Sequence, residues 1–490
     1  MRLYLSYIFL LLVLFSCSSK EEVSNSQQVS SLPDIQPDYI GVTVPSVIAP
    51  LNFSMADNFE LTDFVFSGKG NTTIHLQSSS TPEIPINKWK DLLSENIGDS
   101  IKVEVSVKTE NQWLSYLPFF IHVSADPIDE SICYRLIAPG YEVYSKMGIY
   151  QRTLADFKQD AILENTLVSG SCVNCHSFKQ TDPSYLTFHV RGDHGATFVA
   201  TPDKEITAYS TKTDSTLSPS VYPYWHPSGD YIAYSNNMTR QTFHTRESER
   251  IEVFDFKSDV TVYNVKTNEI ITSPLLKTEN FETFPSFSPD GKRLYFTCAG
   301  PKNMPAEFRD IQYNLCAIDF DPATGSFGNH IDTLFYAEGM NKSVTFPRPS
   351  YDGRFIMFTL IDFGQFSIWH KEADLWMLDL ATGEAKPLDG INSNDTESYH
   401  SWSSNSRWTV FSSRRGDGLY TRPYIAHINE NGEADKAFLL PQKDPVNFYK
   451  ELLFSYNIPE FSNAPVKLNI PEIEEQLMQE EKPSFSFKSN

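Results

Sequence analysis

Residues 284–297 read FPSFSPDGKRLYFT, and this stretch decides the fold of the chain. Its Ser-Pro-Asp-Gly core is typical of a tight turn, because Pro presets the backbone, Asp caps the turn and Gly291 tolerates a positive φ. The residues after the turn are mostly apolar and aromatic, as in a buried β-strand. Three further segments repeat the unit: YPYWHPSGDYIAYS (222–235), FPRPSYDGRFIMFT (346–359) and YHSWSSNSRWTVFS (399–412).

The repeat has a nearly fixed period. Gly229, Gly291 and Gly353 are 62 residues apart at each step, and Ser406 follows after 53. Each unit continues with a strand–turn–strand half, whose turn contains the Asn or Gly that a left-handed conformation favours. Four short strands repeated at one period predict a β-propeller. The period exceeds the roughly 40–45 residues of a WD40-like blade, and insertions inside the repeats account for the excess.

These repeats resemble the propeller repeats of the TolB family over about residues 220–440. The fourth repeat departs from the pattern, because Ser-Asn-Ser replaces Pro-Asp-Gly and His400 replaces the Pro. Residues 185–215 fit a degenerate further blade, and part of 130–160 or the C-terminus could supply another. The resemblance and the repeats together imply an all-β chain with a TolB-like propeller of about six blades.

The N-terminus predicts export. MRLYLSYIFLLLVLFSC (1–17) has one early positive charge and an apolar run too short for a comfortable membrane span. Its last four residues, LFSC, resemble the lipobox of bacterial lipoproteins, which implies that Cys17 is lipidated. We therefore expect a protein of the cell envelope, anchored by lipid to the outer membrane on its periplasmic or surface side.

The net charge of the chain limits the classes of partner that we expect it to bind. Acidic residues outnumber basic residues 62 to 40, for a formal net charge of −22. An anionic surface of this size argues against nucleic acid as a partner. The sequence also contains no G-x-S-x-G elbow and no H-E-x-x-H motif, so a hydrolase is not indicated.

The segment SGSCVNCHSF (169–178) carries the clearest chemistry in the chain. Two residues separate Cys172 from Cys175 and His176 follows directly, which is the C-x-x-C-H pattern of a covalent haem c. Each thiol would add to one haem vinyl group, and the imidazole would become an iron ligand. Haem c is attached outside the cytoplasm, in the compartment that the N-terminus predicts.

Two other interpretations of this motif stay open. A structural zinc site needs four ligands, and His189 or His194 would have to complete it, because the chain has no second cysteine doublet. A redox dithiol needs a βαβ setting, whereas the sequence around the motif is rich in strand patterns. The motif, with GYEVYSKMGIYQRTLADF (140–157), resembles a group of exported propeller lipoproteins that carry one CxxCH.

The sixth iron position would need a ligand from elsewhere in the chain. In YLTFHVRG (185–192), alternation places His189 and Arg191 on one face of a strand. His189 could then reach the iron and Arg191 a haem propionate. The other candidates for this position are His194, His226, His244, Met147 and Met238.

Two more cysteines stand in strand-like runs. Cys298 and Cys316 could be neighbours in one sheet, where an oxidising compartment would permit a disulfide, but two buried thiols are an equal alternative.

We expect these divisions of the chain: a lipoprotein signal peptide at 1–16, a flexible tether at 17–39, a β-sandwich-like domain at 40–127, a haem-c-carrying segment at 128–195, the propeller at 196–442, and a C-terminal strap and tail at 443–490. The function expected from them is that of a membrane-anchored, mono-haem cytochrome-like lipoprotein for electron transfer or redox sensing. A redox or protein partner would dock on the propeller face. The alternative is a TolB-like binding or scaffolding lipoprotein whose haem or metal site has no redox role.

Overall fold

The computed structural model describes residues 20–110, 112–139, 146–245 and 249–487. Strands make up 47% of the chain and helices 8%, so the fold is all-β as the sequence predicts. In these ranges no helix has both the length and the apolar composition to cross a membrane. Cys17 and the expected signal peptide lie outside the described residues.

The N-terminal region is built on one large sheet. Seven strands join in the order β1-β8-β7-β5-β6, with β9 beside β7 and β3 beside β9, while β2 pairs only with β4. The bounds are β1 Gln27–Gln28, β2 Ile35–Gln36, β3 Thr43–Pro45, β4 Ser54–Met55, β5 Leu61–Ser67, β6 Thr73–Ser78, α1 Ile86–Glu95, β7 Ser100–Lys108, β8 Trp113–Ser115 and β9 Phe119–Ser124.

The helix of this region supplies part of its core. Trp89, Leu92 and Leu93 of α1 are fully buried, and they belong to the same apolar cluster as Phe64 and Phe66 of β5. The described region therefore has a single large sheet with a helix in its core, where the sequence predicted a β-sandwich. The sequence did not predict this arrangement, because alternation within a strand does not show whether a helix or a second sheet packs on its buried face.

Antiparallel strands in propeller-like order form the rest of the chain. Their bounds are β10 Ser131–Ile137, β11 Gly148–Thr153, β12 Gln159–Glu164, β13 Cys172–Lys179, β14 Asp182–Arg191, β15 Ala196–Thr201, β16 Lys204–Tyr209, β17 Val221–Trp225, β18 Tyr231–Phe243, β19 Ile251–Asn264, β20 Glu269–Ile271, β21 Phe281–Phe287, β22 Arg293–Ala299, β23 Asn314–Asp321, β24 Ser326–Phe335, β25 Ser343–Pro349, β26 Phe355–Ile361, β27 Asp374–Asp379, β28 Ala385–Pro387, β29 Glu397–Trp402, β30 Trp408–Ser413, β31 Arg422–His427, β32 Phe438–Leu439, α2 Pro445–Glu451, β33 Ser455–Ser462, α3 Ile470–Met478 and β34 Ser486–Phe487.

Four of the sheets are separate and four-stranded: β12-β11-β10-β33, β13-β14-β15-β16, β25-β26-β27-β28 and β29-β30-β31-β32. This number differs from the six or so blades expected from the sequence. The difference arises because β17–β20 and β21–β24 merge, together with β34, into one nine-stranded sheet. A single parallel residue pair, Ser258 with Phe281, links the two halves of that sheet.

The repeated turns adopt the conformation that their residues favour. Gly229, Gly291 and Gly353 have φ values of 78°, 72° and 75°. Ser406 takes φ 60° at the matching place in the fourth repeat, so that turn keeps its shape without glycine. Turn chemistry is local, and this explains why the sequence alone located all four units.

The chain closes on itself through its C-terminal part. Strand β33 pairs antiparallel with β10, so residues near 460 complete a sheet begun near 131. The expected haem-carrying segment, 128–195, supplies strands β10–β14 to two of the sheets instead of standing apart from them. The expected C-terminal strap, 443–490, includes one of the strands that form the propeller.

Candidate functional site

Six strands share one unusual backbone feature. They contact one another in a closed circuit, β13-β17-β21-β25-β29-β33 and back to β13. Each has a register shift with its pairing neighbour, and at the shift stands one non-glycine residue with φ near +50°, in the left-handed region. These residues are Cys175 (51°), Tyr222 (50°), Phe284 (49°), Phe346 (52°), Tyr399 (53°) and Ile458 (49°).

The motif CVNCH is therefore one version of the propeller repeat. Proline follows the left-handed residue in four of the six strands, and histidine follows it in the other two, as His176 and His400. Sequence reasoning missed this equivalence. The sequence does contain evidence for it: Cys-His-Ser-Phe (175–178) is similar to Tyr-His-Ser-Trp (399–402). Aligning these two segments gives the correspondence between the two strands.

Aromatic rings from these positions fill the propeller axis. The centroid of Phe284 lies 4.5 Å from that of Tyr222 and 4.2 Å from that of Phe346. The centroids of Phe346 and Tyr399 are 4.8 Å apart. Cys175 places a small thiol at this level of the axis. Burial raises the pKa of the Cys175 thiol above its usual value, so it is protonated at neutral pH.

His176 is a buried imidazole without a hydrogen bond. It is 2% exposed, and neither ring nitrogen has a hydrogen-bond partner among the described residues. Burial and, to a smaller extent, the charge of Arg135 together lower the pKa of His176 to about 4. A backbone group of Cys133 lies close enough to oppose this shift but does not meet hydrogen-bond geometry. The ring is neutral near pH 7, which is the form that can bind a metal.

His400 shows how the equivalent ring is normally satisfied. Its Nε2–H donates to the carbonyl oxygen of Met357 in β26, the second strand of the preceding sheet, at 2.9 Å. Cys133 occupies the matching strand β10 next to His176. The two histidines thus share a place in the repeat, but only His400 completes the hydrogen bond.

The side chain of Arg135 contacts two residues of the CVNCH motif and Met147. Its Nη2 lies 3.3 Å from Cys172 Sγ and 3.4 Å from Met147 Sδ, and its Nη1 donates to Asn174 Oδ1 at 3.1 Å. Cys172 and Cys175 are both free thiols. Of the candidates for the sixth iron position, Met147 is the one that Arg135 connects with the motif.

His189 does not share a face with His176. The His176 ring lies 5.9 Å from that of Phe178, which packs in one cluster with Phe188 and Val190. Because neighbouring strand residues alternate, His189 points to the opposite face, where its Nδ1 lies 2.9 Å from Thr197 Oγ1. One iron cannot contact both rings while β13 and β14 keep this pairing, so the geometry does not support His189 as the sixth ligand.

The remaining candidates are spread through the fold. His226 uses both nitrogens within a turn: Nε2 donates to Gly291 O at 3.0 Å, and Nδ1 accepts from the backbone N–H of Ser228. Met238 is 46% exposed on β18, and His194 is half-buried in a loop after β14. In the described ranges, no three His, Cys, Asp or Glu side chains gather as a metal site would require.

Cys298 and Cys316 are neighbours without a disulfide. Both are free thiols, and each influences the pKa of the other. Cys298 pairs with Asn314 and Cys316 with Phe296, so the cysteines occupy diagonal positions of β22 and β23. Diagonal residues are about 7–8 Å apart at Cα, which exceeds the usual disulfide span. Of the two alternatives that the sequence left open, the structure therefore has two free thiols and no disulfide.

A long hairpin, made by β18 and β19, crosses over the axis. Ile251 of this hairpin packs in one cluster with Phe284, Phe346 and Tyr399, and buried polar contacts fix it in place. His370 is fully buried, with Nε2 2.9 Å from Glu252 Oε2 of the hairpin and Nδ1 3.0 Å from Glu372 Oε1.

Two further contacts hold the same hairpin and the loops beside it. Asp255 of β19 accepts from Asn237 Nδ2 at 2.8 Å and from Gln365 Nε2 at 3.3 Å. Arg414, in the loop after β30, is buried over the ring of Trp369.

Comparisons with known proteins add little to this picture. No protein-family model and no curated protein matches the chain. Among solved structures, the chain is similar to an oligogalacturonate lyase in complex with manganese, with 13% identity and a TM-score of 0.33 over 63% of this chain and 85% of that one.

Two peptidases are similar to the same degree. Prolyl oligopeptidase B from Galerina marginata has 12% identity and a TM-score of 0.34, over 62% of this chain and 44% of that one. A puromycin-hydrolyzing peptidase from Mycobacterium tuberculosis has 12% identity and a TM-score of 0.35, over 82% and 57%. The chain thus spans about half the length of the peptidases. Similarities this distant carry no conclusion about activity.

Proposed function

We propose that this chain is an exported, lipid-anchored protein that holds one covalent haem c and transfers electrons or senses redox state. The observation that carries the proposal is the state of the CVNCH residues. Two free thiols are separated by two residues, and the imidazole that follows is buried, neutral and without a hydrogen bond among the described residues. An unpaired buried imidazole costs free energy unless a ligand satisfies it, and a haem iron would do so.

Each residue of the motif has one task in this proposal. Cys172 and Cys175 would form the two thioether bonds, and His176 would ligate the iron. The haem, once bound, would supply one-electron redox chemistry. Arg135 holds Asn174 and the sulfur of Cys172, which fixes the strand at the attachment point and leaves a positive charge beside it. The propeller would act as scaffold, and a redox or protein partner would dock on its face.

Mass spectrometry of the denatured protein tests this proposal. Protein exported in a host with haem-c maturation should carry a mass increase of one haem, which is absent from the Cys172→Ala/Cys175→Ala variant. His400→Ala is the matched control, because it removes the histidine at the equivalent place of another strand and should leave the haem in place. A polypeptide mass alone, from a folded protein made in the competent host, contradicts the proposal.

A second candidate function rests on the equivalence of His176 and His400. In this candidate the motif is a packing element, and the chain is a binding or scaffolding lipoprotein of the propeller type. The supporting observation is that the His176 ring lies beside Phe178, in the apolar layer that also contains Cys133. A folded, haem-free protein that keeps its thermal stability in the His176→Phe variant would favour this candidate.

We also propose that the nine-stranded sheet acts as two blades, which would give a six-bladed propeller. The closed circuit of six strands supports this count, as does the single residue pair that links the two halves. Separate hydrogen-exchange behaviour of β17–β20 and β21–β24 would support it, whereas exchange as one cooperative unit would contradict it.

A further inference from the structure

The residues that alternation predicted for the haem, His189 and Arg191, line a cleft of their own. It has a volume of about 300 Å³, and its lining includes the Gly192–Gly195 turn, Thr197, Thr211 and Lys212. Small-molecule sites start at about this size. The cleft lies on the face of β14 that points away from His176. Arg191 at its rim is the direct cross-strand partner of Cys172, so the cleft borders the proposed haem attachment but does not include His176.

A chain of hydrogen bonds connects His189 to the buried wall of this cleft. The backbone N–H of Ser220 donates to Thr211 Oγ1 at 2.9 Å. Thr211 Oγ1 lies 3.2 Å from Thr197 Oγ1, which lies 2.9 Å from His189 Nδ1. A threonine hydroxyl has one donor and two acceptor sites, so Thr211 can donate to Thr197 and Thr197 to Nδ1, which is the order used in the proposal below. This order makes Nδ1 the acceptor and leaves the proton on Nε2.

His189 therefore offers a neutral N–H donor to the cleft. The residue is 5% exposed, and in the described part of the chain its Nε2 has no hydrogen-bond partner. Burial lowers the pKa of His189 to about 3, and the charge of Arg191 adds to this shift, so the ring stays uncharged near pH 7. Because the ring does not become protonated near neutral pH, its hydrogen-bond donor and acceptor do not change across the physiological pH range.

The rim of the cleft is cationic in a strongly acidic protein. Arg191 and Lys212 are both exposed there, and Asp193 is the one acidic residue in the lining. The whole chain has the opposite balance, with 62 acidic and 40 basic residues. Two positive charges above a buried N–H donor are complementary to a bound oxyanion, because Arg and Lys donate strong hydrogen bonds to such groups.

We propose that the His189–Arg191–Lys212 cleft binds a small, diffusible oxyanion that bears a carboxylate or phosphate group. Arg191 and Lys212 hold its charge, and His189 Nε2–H donates to one of its oxygens. Thr197 and Thr211 act as positioning residues, because they set the tautomer of His189 and do not contact the anion in this arrangement.

Calorimetric titration with inorganic phosphate and with acetate, each at constant ionic strength, tests the proposal. At least one of them should bind the wild type, and Arg191→Ala/Lys212→Ala should weaken that binding by about tenfold or more. Lys88→Ala/Arg240→Ala is the control, because it removes the same charge from exposed positions outside the cleft; its affinity should stay within about twofold. Both variants change exposed side chains, so folding is not at risk.

Nitrogen-15 NMR of the histidines gives an independent measurement. His189 should be in the Nε2–H tautomer, and this signal should shift when the anion is added. Thr197→Val should change the tautomer balance and reduce the affinity, while His189→Gln, which retains an N–H donor, should bind more tightly than His189→Leu.

Three results would overturn the proposal. The first is a lack of binding by both anions, and the second is equal weakening by the cleft and control variants. The third is binding by haem-free protein that is lost once haem is attached, because a haem propionate would then be the carboxylate that fills the cleft. Failure of the haem proposal alone leaves the titration unaffected, so the two are separable.

Discussion

The buried His370 predicts a pH dependence of stability. Burial alone would lower the pKa of His370, but the hydrogen bonds to Glu252 and Glu372 outweigh it and raise the pKa to about 9. An unfolded histidine has a pKa of about 6.5, so the folded state binds the proton more tightly. The stabilisation is fully present below pH 6.5 and is lost as the pH rises through 9.

The magnitude follows from the size of this shift. A difference of about 2.5 pKa units corresponds to about 3 kcal/mol of stability, most of which disappears between about pH 6 and pH 9.5. Solvent screening does not reduce it much, because His370 and Glu252 are both buried.

Denaturant unfolding of the wild type and of His370→Gln at a series of pH values measures the effect. The difference in free energy of unfolding between the two proteins should shrink by about 3 kcal/mol from pH 6 to pH 9.5. Taking the difference cancels the titration of the many tyrosines and lysines. A difference that stays constant over this range would refute the assignment of a protonated His370 between two carboxylates.

Three other changes test separate parts of the structure. Cys17→Ser should release the exported protein from membranes into the soluble fraction, and a variant that stays bound after a high-salt wash must have another anchor. Tyr456→Ala in β33 should lower the free energy of unfolding by about 3–5 kcal/mol, because the ring is fully buried; a loss below about 1 kcal/mol would contradict the closing role of that strand. Cys298 and Cys316 should both react with an alkylating reagent in denaturant without prior reduction, and a peptide mass lower by two hydrogens would show that the disulfide forms after all.

Local chemistry explains which parts of the fold the sequence could predict. The turns at Gly291 and its equivalents depend only on residues that are adjacent in the chain, so the sequence alone was enough to predict them. The unit at Cys175 lacks the Pro-Asp-Gly turn and has a left-handed Gln180 instead, so it did not align with the others. The sequence also could not predict which strand pairs with β10, because its partner β33 lies more than 300 residues further along the chain.

The sequence located the candidate motif but did not predict its arrangement. The spacing of Cys172, Cys175 and His176 identified the motif, and alternation correctly separated His189 from Phe188 and Val190. Alternation predicts which residues of a strand share a face, but it does not predict which residues of other strands lie opposite that face. The sequence therefore assigned His189 to the haem, whereas the pairing of β13 with β14 turns the two histidines apart.

The pairing of β33 with β10 has a consequence for how the chain is made. Strand β10 is synthesised early, yet one of its edges has no partner until residues 455–462 have emerged. Until then this edge exposes backbone N–H and C=O groups, which can pair with other chains. A product that stops short of residue 455 keeps this edge open permanently, so such truncated copies should be degraded or aggregate. Only a chain that extends through β33 can complete the sheet that contains β10.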